Sequence, residues 1–309
     1  MNKQIFRIGT RGSKLAMYQA ETVKDAIEQS FTKLQVELCI IKTKGDIILD
    51  TALSKIGDKG LFTREIELAL LDRSIDIAVH SLKDLPTTLP DGLHLGAVLP
   101  RGEVRDALVH KKGKKLHELN HEDLIATSSL RRIASLKHLN PNIRITDIRG
   151  NVNTRLEKMH NGFCDGMIMA AAGLQRLGYE KHITELIEPN HFYPAVAQGA
   201  IAIECRIDDP ESNQMLQSIN HPHTMLAVQA ERSFLQNLEG GCQIPAGCYS
   251  IIGKQTIQLK AFIASPGAEE YLSAMVEGTH ATALELGKQL AMALKNLGGA
   301  EIMKQIRTN

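Results

Sequence analysis

The chain of 309 residues has no tryptophan, and phenylalanine and tyrosine bring its aromatic content to only 4%. So few flat side chains offer little platform for stacking bases, which argues against nucleic acid as a ligand. An excess of charge is also missing: 36 Lys and Arg offset 35 Asp and Glu. No global field then draws the chain to nucleic acid or to an anionic membrane, so any attraction for anions must be built locally. No apolar run approaches the roughly 18 residues of a membrane span, and the opening MNKQIFRIGTRGSKLA lacks the apolar core of a signal peptide. These absences lead us to expect a cytoplasmic protein without a membrane partner. Nothing in the sequence demands an oligomer, and a monomer is expected.

Cysteine is scarce and scattered. Cys39, Cys164, Cys205, Cys242 and Cys248 show no Cys-x-x-Cys spacing, so neither a disulfide framework nor a zinc site is indicated. His221 and His223 lack the further ligands a metal needs, and no metal is expected. Most of the cysteines, Cys248 among them, read as small core residues. Cys242 differs, because in LEGGCQIPAGC it directly follows Gly240 and Gly241. Glycines leave a loop uncrowded, which suits a thiol meant to bond something outside its own domain. A buried cysteine in a tight turn is the plainer reading, and the residues alone leave both open.

A hydrophobic content of 43% over this length calls for more than one domain. Segments 6–10, 36–42, 75–80 and 93–99 read as strands, alternating with helices after Ser13, a candidate N-cap, and over 61–71. Their apolar content suits buried, mostly parallel strands. PRGEVRDALVHKKGKK then interrupts the pattern and reads as a linker or a crossing strand pair. The alternation restarts with strands at 124–128, 143–148 and 165–172 and helices at 129–139 and 152–160. KGLFTREIELALLDRSIDIAV and RGNVNTRLEKMHNGFCDGMIM echo one another weakly, and a strand at 200–205 is placed to return the chain to the first domain. The remainder, a helix near 222–239, two or three strands and a long helix over 281–297, reads as a small α+β domain. The expected division is 1–99 with 200–219, 100–199, and 220–309.

Positive groups concentrate at strand-to-helix connections. TSSLRRIASLK sets Thr127, Ser128 and Ser129 before a helix whose first turn carries Arg131 and Arg132. Free N–H groups, hydroxyls and guanidiniums there all favour an anion. TRGSKLA repeats the combination with Arg11 and Ser13, and RGNVNTR places Arg149, Gly150 and Arg155 after another strand. Lys55 and Lys59 in SKIGDKG and Arg176 in AGLQRLG add to the set. Each motif alone reads more simply as a capped helix with solvated charge. Together they indicate a multiply carboxylated or phosphorylated small molecule, bound beyond the carboxyl ends of strands. VHSLKDLP delivers Ser81, Lys83 and Asp84 from an apolar strand. An acid among cations is stabilised as the anion and suits holding positive charge or relaying a proton, although a Lys–Asp pair in a loop is commonly a surface pair.

Taken together, TRGSKLA, KGLFTRE, DIAVHSLKDLP, ATSSLRR, RGNVNTRL, AGLQRL, AVAQGAIAIECR and LEGGCQIPAG resemble the hydroxymethylbilane synthase, or porphobilinogen deaminase, family, in that family's order. The resemblance implies an α/β fold of two lobes like those of type II periplasmic binding proteins, plus a small C-terminal α+β domain. It implies a transferase that joins four porphobilinogen molecules head to tail, loses ammonia at each addition and releases a linear tetrapyrrole by hydrolysis. It further implies a dipyrromethane cofactor tethered to Cys242 by a thioether, which cytosolic thiols would not reduce. Asp84 is implied as the catalytic carboxylate. Ser81, Lys83, Asp84, Thr127, Ser128, Ser129, Arg131 and Arg132 are implied as cofactor contacts. Arg11, Ser13, Gln19, Lys55, Lys59, Arg149, Gly150, Arg155, Arg176 and Gln198 are implied as substrate contacts. Ala197 stands where the pattern has glycine, Asp58 where GGKG is common, and Cys248 is outside the pattern. A non-enzymatic anion-binding or sensor protein of the same two-lobed fold also accounts for the arginines, but not for a glycine-flanked cysteine. A thiol-dependent amidase lacks a histidine partner in sequence.

Overall fold

The computed structural model describes residues 5–47, 60–238 and 244–308. These divide into two compact units, one from the N-terminal residues with 60–102 and 199–225, the other from 103–198 and 226–308.

In the first unit, β1 (Ile5–Thr10), β2 (Gln35–Ile40), β3 (Ile77–Ser81), β4 (Leu93–Val98) and β10 (Ile201–Arg206) form one sheet, ordered β2-β1-β3-β10-β4. β1 runs parallel to β2 and β3, whereas β10 is antiparallel to β3 and β4. The returning strand expected near 200–205 is β10, buried along its whole length as a central strand must be. Phe6 and Ile8, two apart on β1, share a core with Ala20, Val23 and Ile27 of α1 (Lys14–Ser30). Ala78 of β3 packs instead with Ile66 and Leu70 of α3 (Arg64–Leu71). The period of two along the strands thus supplies both faces of the sheet. A short turn, α2 (Lys44–Ile47), follows β2.

The second unit repeats this plan. β5 (Asp106–His110), β6 (Leu124–Ala126), β7 (Arg144–Thr146), β8 (Gly166–Ala170) and β9 (Glu185–Ile187) are ordered β7-β6-β8-β5-β9. β6 is parallel to β7 and β8, and β5 is antiparallel to β8 and β9. Order and sense therefore match the first sheet strand for strand, with β5 in the place of β10. The weak echo in sequence has a topological counterpart, and each unit contains an α/β lobe of the same strand order. Of the two readings of PRGEVRDALVHKKGKK, the linker gives way to the strand: Asp106–His110 within it is a fully buried strand paired on both sides. Its basic flanks masked a five-residue core segment. α4 (Leu130–Leu139), α5 (Val152–His160) and α6 (Ala171–Arg176) follow β6, β7 and β8. α7 (Pro210–Ile219), in the first unit, was missed in sequence although Asp209 caps it through Ser212 N and Pro210 opens it.

After α8 (Pro222–Asn237), an antiparallel sheet of β11 (Ala246–Ile252), β12 (Thr256–Ala264) and β13 (Tyr271–Thr279) carries α9 (Ala283–Leu294) on one face, and α10 (Ala300–Thr308) ends the chain. The long helix expected to 297 runs as α9 to Leu294 and continues as a π-type turn from Lys295, until Gly298, at φ 115°, takes the left-handed backbone that separates α9 from α10. This sheet is docked on the second lobe. Cys248 N donates to Pro194 O at 3.1 Å, and a Cβ on Gly247 would lie 2.8 Å from the carbonyl oxygens of Tyr193 and Pro194. Aromatic rings continue the contact. Phe262 stacks on Tyr271 at 4.4 Å, and Tyr271 stacks on His138 of α4 at 3.9 Å.

Candidate anion-binding and catalytic site

The two sheets place the sequence-expected residues at equivalent points, beyond the carboxyl ends of the first, second or third strand of each sheet. Arg11 and Ser13 follow β1, and Ser81, Lys83 and Asp84 follow β3. Thr127 to Arg132 follow β6, Arg149, Gly150 and Arg155 follow β7, and Arg176 ends α6 after β8. Open α/β sheets bind ligands at such ends, because strand termini leave backbone groups and helix N-termini exposed there. Cys242, Lys55, Lys59 and Asp58 lie outside the described residues.

At the end of β3 the chain tightens into a single 3-10 turn, Leu82–Asp84. Leu82 is buried and its N–H donates to Ala200 O at 3.1 Å, which anchors the turn to the start of β10. Asp84 is exposed, and its carboxylate has no hydrogen bond or ion pair with any described residue. Lys83 beside it is half-buried. Ser81 and Gln19 exchange two side-chain bonds of 2.9 and 3.2 Å, with Gln19 buried, so these two brace α1 against the end of β3. Ser13 is the N-cap of α1, its Oγ accepting from Ala16 N at 3.3 Å.

The α4 terminus is organised by a residue not singled out in sequence. Asp106, at the head of β5 and completely buried, accepts from Arg131 Nη1 at 2.7 Å and from Arg132 Nε and Nη2 at 3.1 and 2.7 Å. Burial alone would raise its carboxyl, but the two guanidiniums outweigh burial and hold it well below the usual carboxylate range. Two cations against one anion leave a surplus positive charge at the helix N-terminus. Arg132 spends its third nitrogen on Ile168 O, and its fork is closed. Arg131 uses only Nη1 among the described residues, on Asp106 and Tyr193 O, leaving Nε and Nη2 without a bond. Thr127 Oγ1 accepts from Ser129 N, and Ser128 Oγ donates to Ile148 O and accepts from Ile148 N, tying the β6 end to the β7 end. Ser129 stands at the N-cap position without a side-chain capping bond, so its hydroxyl is not consumed by the helix. Gln198 is buried and donates to Val104 O and Asp106 Oδ1 at 2.8 and 3.1 Å.

After β7, Gly150 adopts φ 112°, and its carbonyl accepts from Arg155 Nε at 2.8 Å. Arg149 and Arg155 are half-buried, and burial pulls the Arg149 guanidinium below its ordinary value, with Asp147 partly opposing. Hydroxyls, a helix N-terminus and surplus guanidinium charge thus form a donor set suited to carboxylates, and a multiply carboxylated cofactor fits it. Two of the thiols described elsewhere are poor nucleophiles: burial pushes Cys164 up to about 11 and Cys205 up to about 12.

Residues 6–214 match the family model described as porphobilinogen deaminase, dipyromethane cofactor binding domain, and residues 225–296 match the porphobilinogen deaminase C-terminal domain. The chain belongs to the porphobilinogen deaminase family. A porphobilinogen deaminase of Syntrophobacter fumaroxidans is 44% identical over 306 residues, covering 99% of each chain. Its relative in Syntrophomonas wolfei is 48% identical over 301 residues, covering 97% of this chain and 98% of that one. Membership accounts for the two lobes, the appended sheet and the carboxylate-directed donors at once. It also disfavours the sensor alternative, which needs no such C-terminal domain. Among the described residues no helix is long and apolar enough to cross a membrane, and no group of three or more candidate ligands is arranged for a metal.

Proposed function

We propose that the chain is a hydroxymethylbilane synthase that condenses four porphobilinogen molecules head to tail, releases ammonia at each addition and frees the linear tetrapyrrole by hydrolysis. The observation that carries this reading is the family match across both lobes and the C-terminal domain, with an exposed carboxylate, Asp84, held at the end of β3. The dipyrromethane, tethered through Cys242, supplies when bound the pyrrole carbon to which the first unit is joined. Asp84 forms no ion pair with a described residue, and its carboxylate is available to steady positive charge on a pyrrole N–H and to accept or return the proton. Ser81, Lys83, Thr127, Ser128, Ser129, Arg131 and Arg132 hold the cofactor's carboxylates, directly or by fixing the neighbours that do. Arg11, Ser13, Gln19, Lys55, Lys59, Arg149, Gly150, Arg155, Arg176 and Gln198 serve the substrate in the same divided way. Structural supports such as Gln19, Gln198 and Arg132 position the donors, and Arg131 offers open nitrogens. The protein works as a cytoplasmic monomer with no membrane or nucleic-acid partner, and its domains comprise 1–99 with 200–219, 100–199, and 220–309.

Intact-mass measurement of the purified active protein tests the attachment. The wild type is expected to be heavier than its polypeptide by one dipyrromethane and to redden with Ehrlich's reagent, whereas Cys242→Ser shows neither; equal masses would end the reading. Asp84→Asn is expected to keep its fold and its cofactor mass while losing nearly all ammonia release from porphobilinogen. Full turnover in that variant would remove Asp84 from the chemistry.

A further inference from the structure

Arg11, expected to grip a substrate carboxylate, already holds one. Its Nε donates to Asp46 Oδ1 and Oδ2 at 3.1 and 3.3 Å, and its Nη2 also bonds Oδ1. Asp46 lies in α2, beyond the carboxyl end of β2, so the pair joins the ends of two neighbouring strands of the first sheet. The guanidinium face rests on the Phe62 ring, 4.2 Å from its centroid. Burial opposes the Asp46 anion, but bonds from Arg11 and Thr43 together outweigh it and hold the carboxyl below its ordinary value.

We propose that Asp46 is a resident competitor for the Arg11 fork, a carboxylate of the chain itself that a substrate acetate or propionate group must displace. The inference rests on the assignment of Arg11 to the substrate made above. Four features make the pair exchangeable rather than permanent. Both side chains are about one-quarter exposed, at 26% and 27%, so water and a ligand reach them and the pair gains little from a low dielectric. Asp46 does not depend on Arg11, because Thr43 N and Oγ1 donate to its Oδ2 at 3.2 and 2.9 Å and remain after the arginine is taken. Arg11 does not depend on Asp46 for its place, because cation–π contact with Phe62 keeps the plane of the guanidinium fixed. Finally, Arg11 Nη1 makes no hydrogen bond to a described residue, so an incoming carboxylate has a donor to engage before Asp46 leaves. The Asp106 cluster is the contrast: its carboxylate is fully buried between two arginines, and exchange there would strand a charge.

An internal competitor sharpens discrimination. A ligand without a correctly placed carboxylate cannot displace Asp46 and meets a filled fork, whereas a carboxylated pyrrole exchanges one charge-assisted pair for another. Asp46 would also limit how tightly each added unit is held, which a site that must take up several units in turn requires.

The test is a cycle on the holoenzyme, reading the KM for porphobilinogen and, in an Asp84→Asn background, its equilibrium dissociation constant. Asp46→Asn removes the competing charge and keeps the Thr43 bonds, and is expected to tighten both by about two- to fivefold, the range of a partly exposed ion pair. Asp46→Glu, which retains a carboxylate, should restore values near those of the wild type. Arg11→Leu should weaken binding, and adding Asp46→Asn to it should change nothing further. Weaker or unchanged binding in Asp46→Asn, with Arg11→Leu still impaired, overturns the competitor and leaves Asp46 a positioning group. Unimpaired binding in Arg11→Leu instead overturns the assignment of Arg11 to the substrate, and the competitor with it. Holoenzyme mass and the urea midpoint, measured on each variant, separate these effects from loss of fold.

Discussion

At the scale of single residues, charge neutralisation decides what each arginine can do. Arg131 and Arg132 stand side by side in sequence and look equivalent, yet Asp106 closes one fork and leaves two nitrogens of the other open. Asp106→Asn would leave two guanidiniums buried with one neutral partner, and it is expected to cost roughly 3–5 kcal/mol of stability, read as a lowered urea midpoint. Because the folded carboxyl is held below its unfolded value, its stabilisation is present above the usual carboxylate range and is lost as pH falls toward the folded value. The gap between wild type and variant should therefore hold from about pH 7 to about pH 5 and narrow as the pH falls below about 4. A gap constant with pH would mean that the carboxylate is not what Asn removes. The arginines were legible in sequence because their type and helical position announce an anion site. Asp106, 25 residues away from Arg131, was not, since only the sheet brings β5 beneath α4.

At the scale of elements, connections carry what the strands and helices do not. Ala197 stands where the family pattern has glycine, and it adopts φ 60°, buried to 1% exposure. A side chain in this left-handed region costs about 1–2 kcal/mol. The conformation is held because Ala197 N donates to the buried Glu231 Oε2 at 2.7 Å, while Glu231 Oε1 accepts from Ser250 N and Oγ at 3.0 and 2.7 Å. Ala197→Gly should relieve the strain, offset in part by the greater freedom of glycine in the unfolded chain, for a net gain of about 0.5–1 kcal/mol. Chemical denaturation checks it, and a destabilised variant would show that the methyl group contributes more by packing than it costs in backbone strain. The unusual residue was visible in sequence, but its backbone angle and its tie to α8 were not. Strong periodicity made most strands and helices legible within a few residues. β5 stayed ambiguous between linker and strand, and α7 escaped, because a short apolar run between basic flanks, or a helix opened by DDPES, carries too little period to decide.

At the scale of the whole chain, docking of the C-terminal sheet on the second lobe depends on the absence of a side chain. Gly247 lets β11 approach Tyr193 and Pro194 so closely that an added Cβ would sit 2.8 Å from both carbonyl oxygens and from the Phe262 ring. Gly247→Ala is expected to force the sheet away from residues 193–194 at a cost of about 1–3 kcal/mol. The loosened stack of Phe262, Tyr271 and His138 should appear as a weakened near-UV circular dichroism signal of the tyrosines. An unaltered spectrum and midpoint would show that the contact adjusts without strain. In sequence this glycine is one letter of the Cys242 motif, and its packing duty there is invisible.

What the sequence determined alone was chemistry of a local kind. Apolar periodicity selected strand or helix, near-zero net charge made the clustered cations informative, and the ordered motifs identified the family. Tertiary structure decided which of those cations are already neutralised, because ion pairing depends on distances of a few ångströms between residues remote in the chain. Asp46 reaches Arg11 across 35 positions, and Asp106 reaches Arg132 across 26. Their pairing follows from strand order, which periodicity does not encode, and strand order therefore separates the arginines left open to a ligand from those that hold the fold.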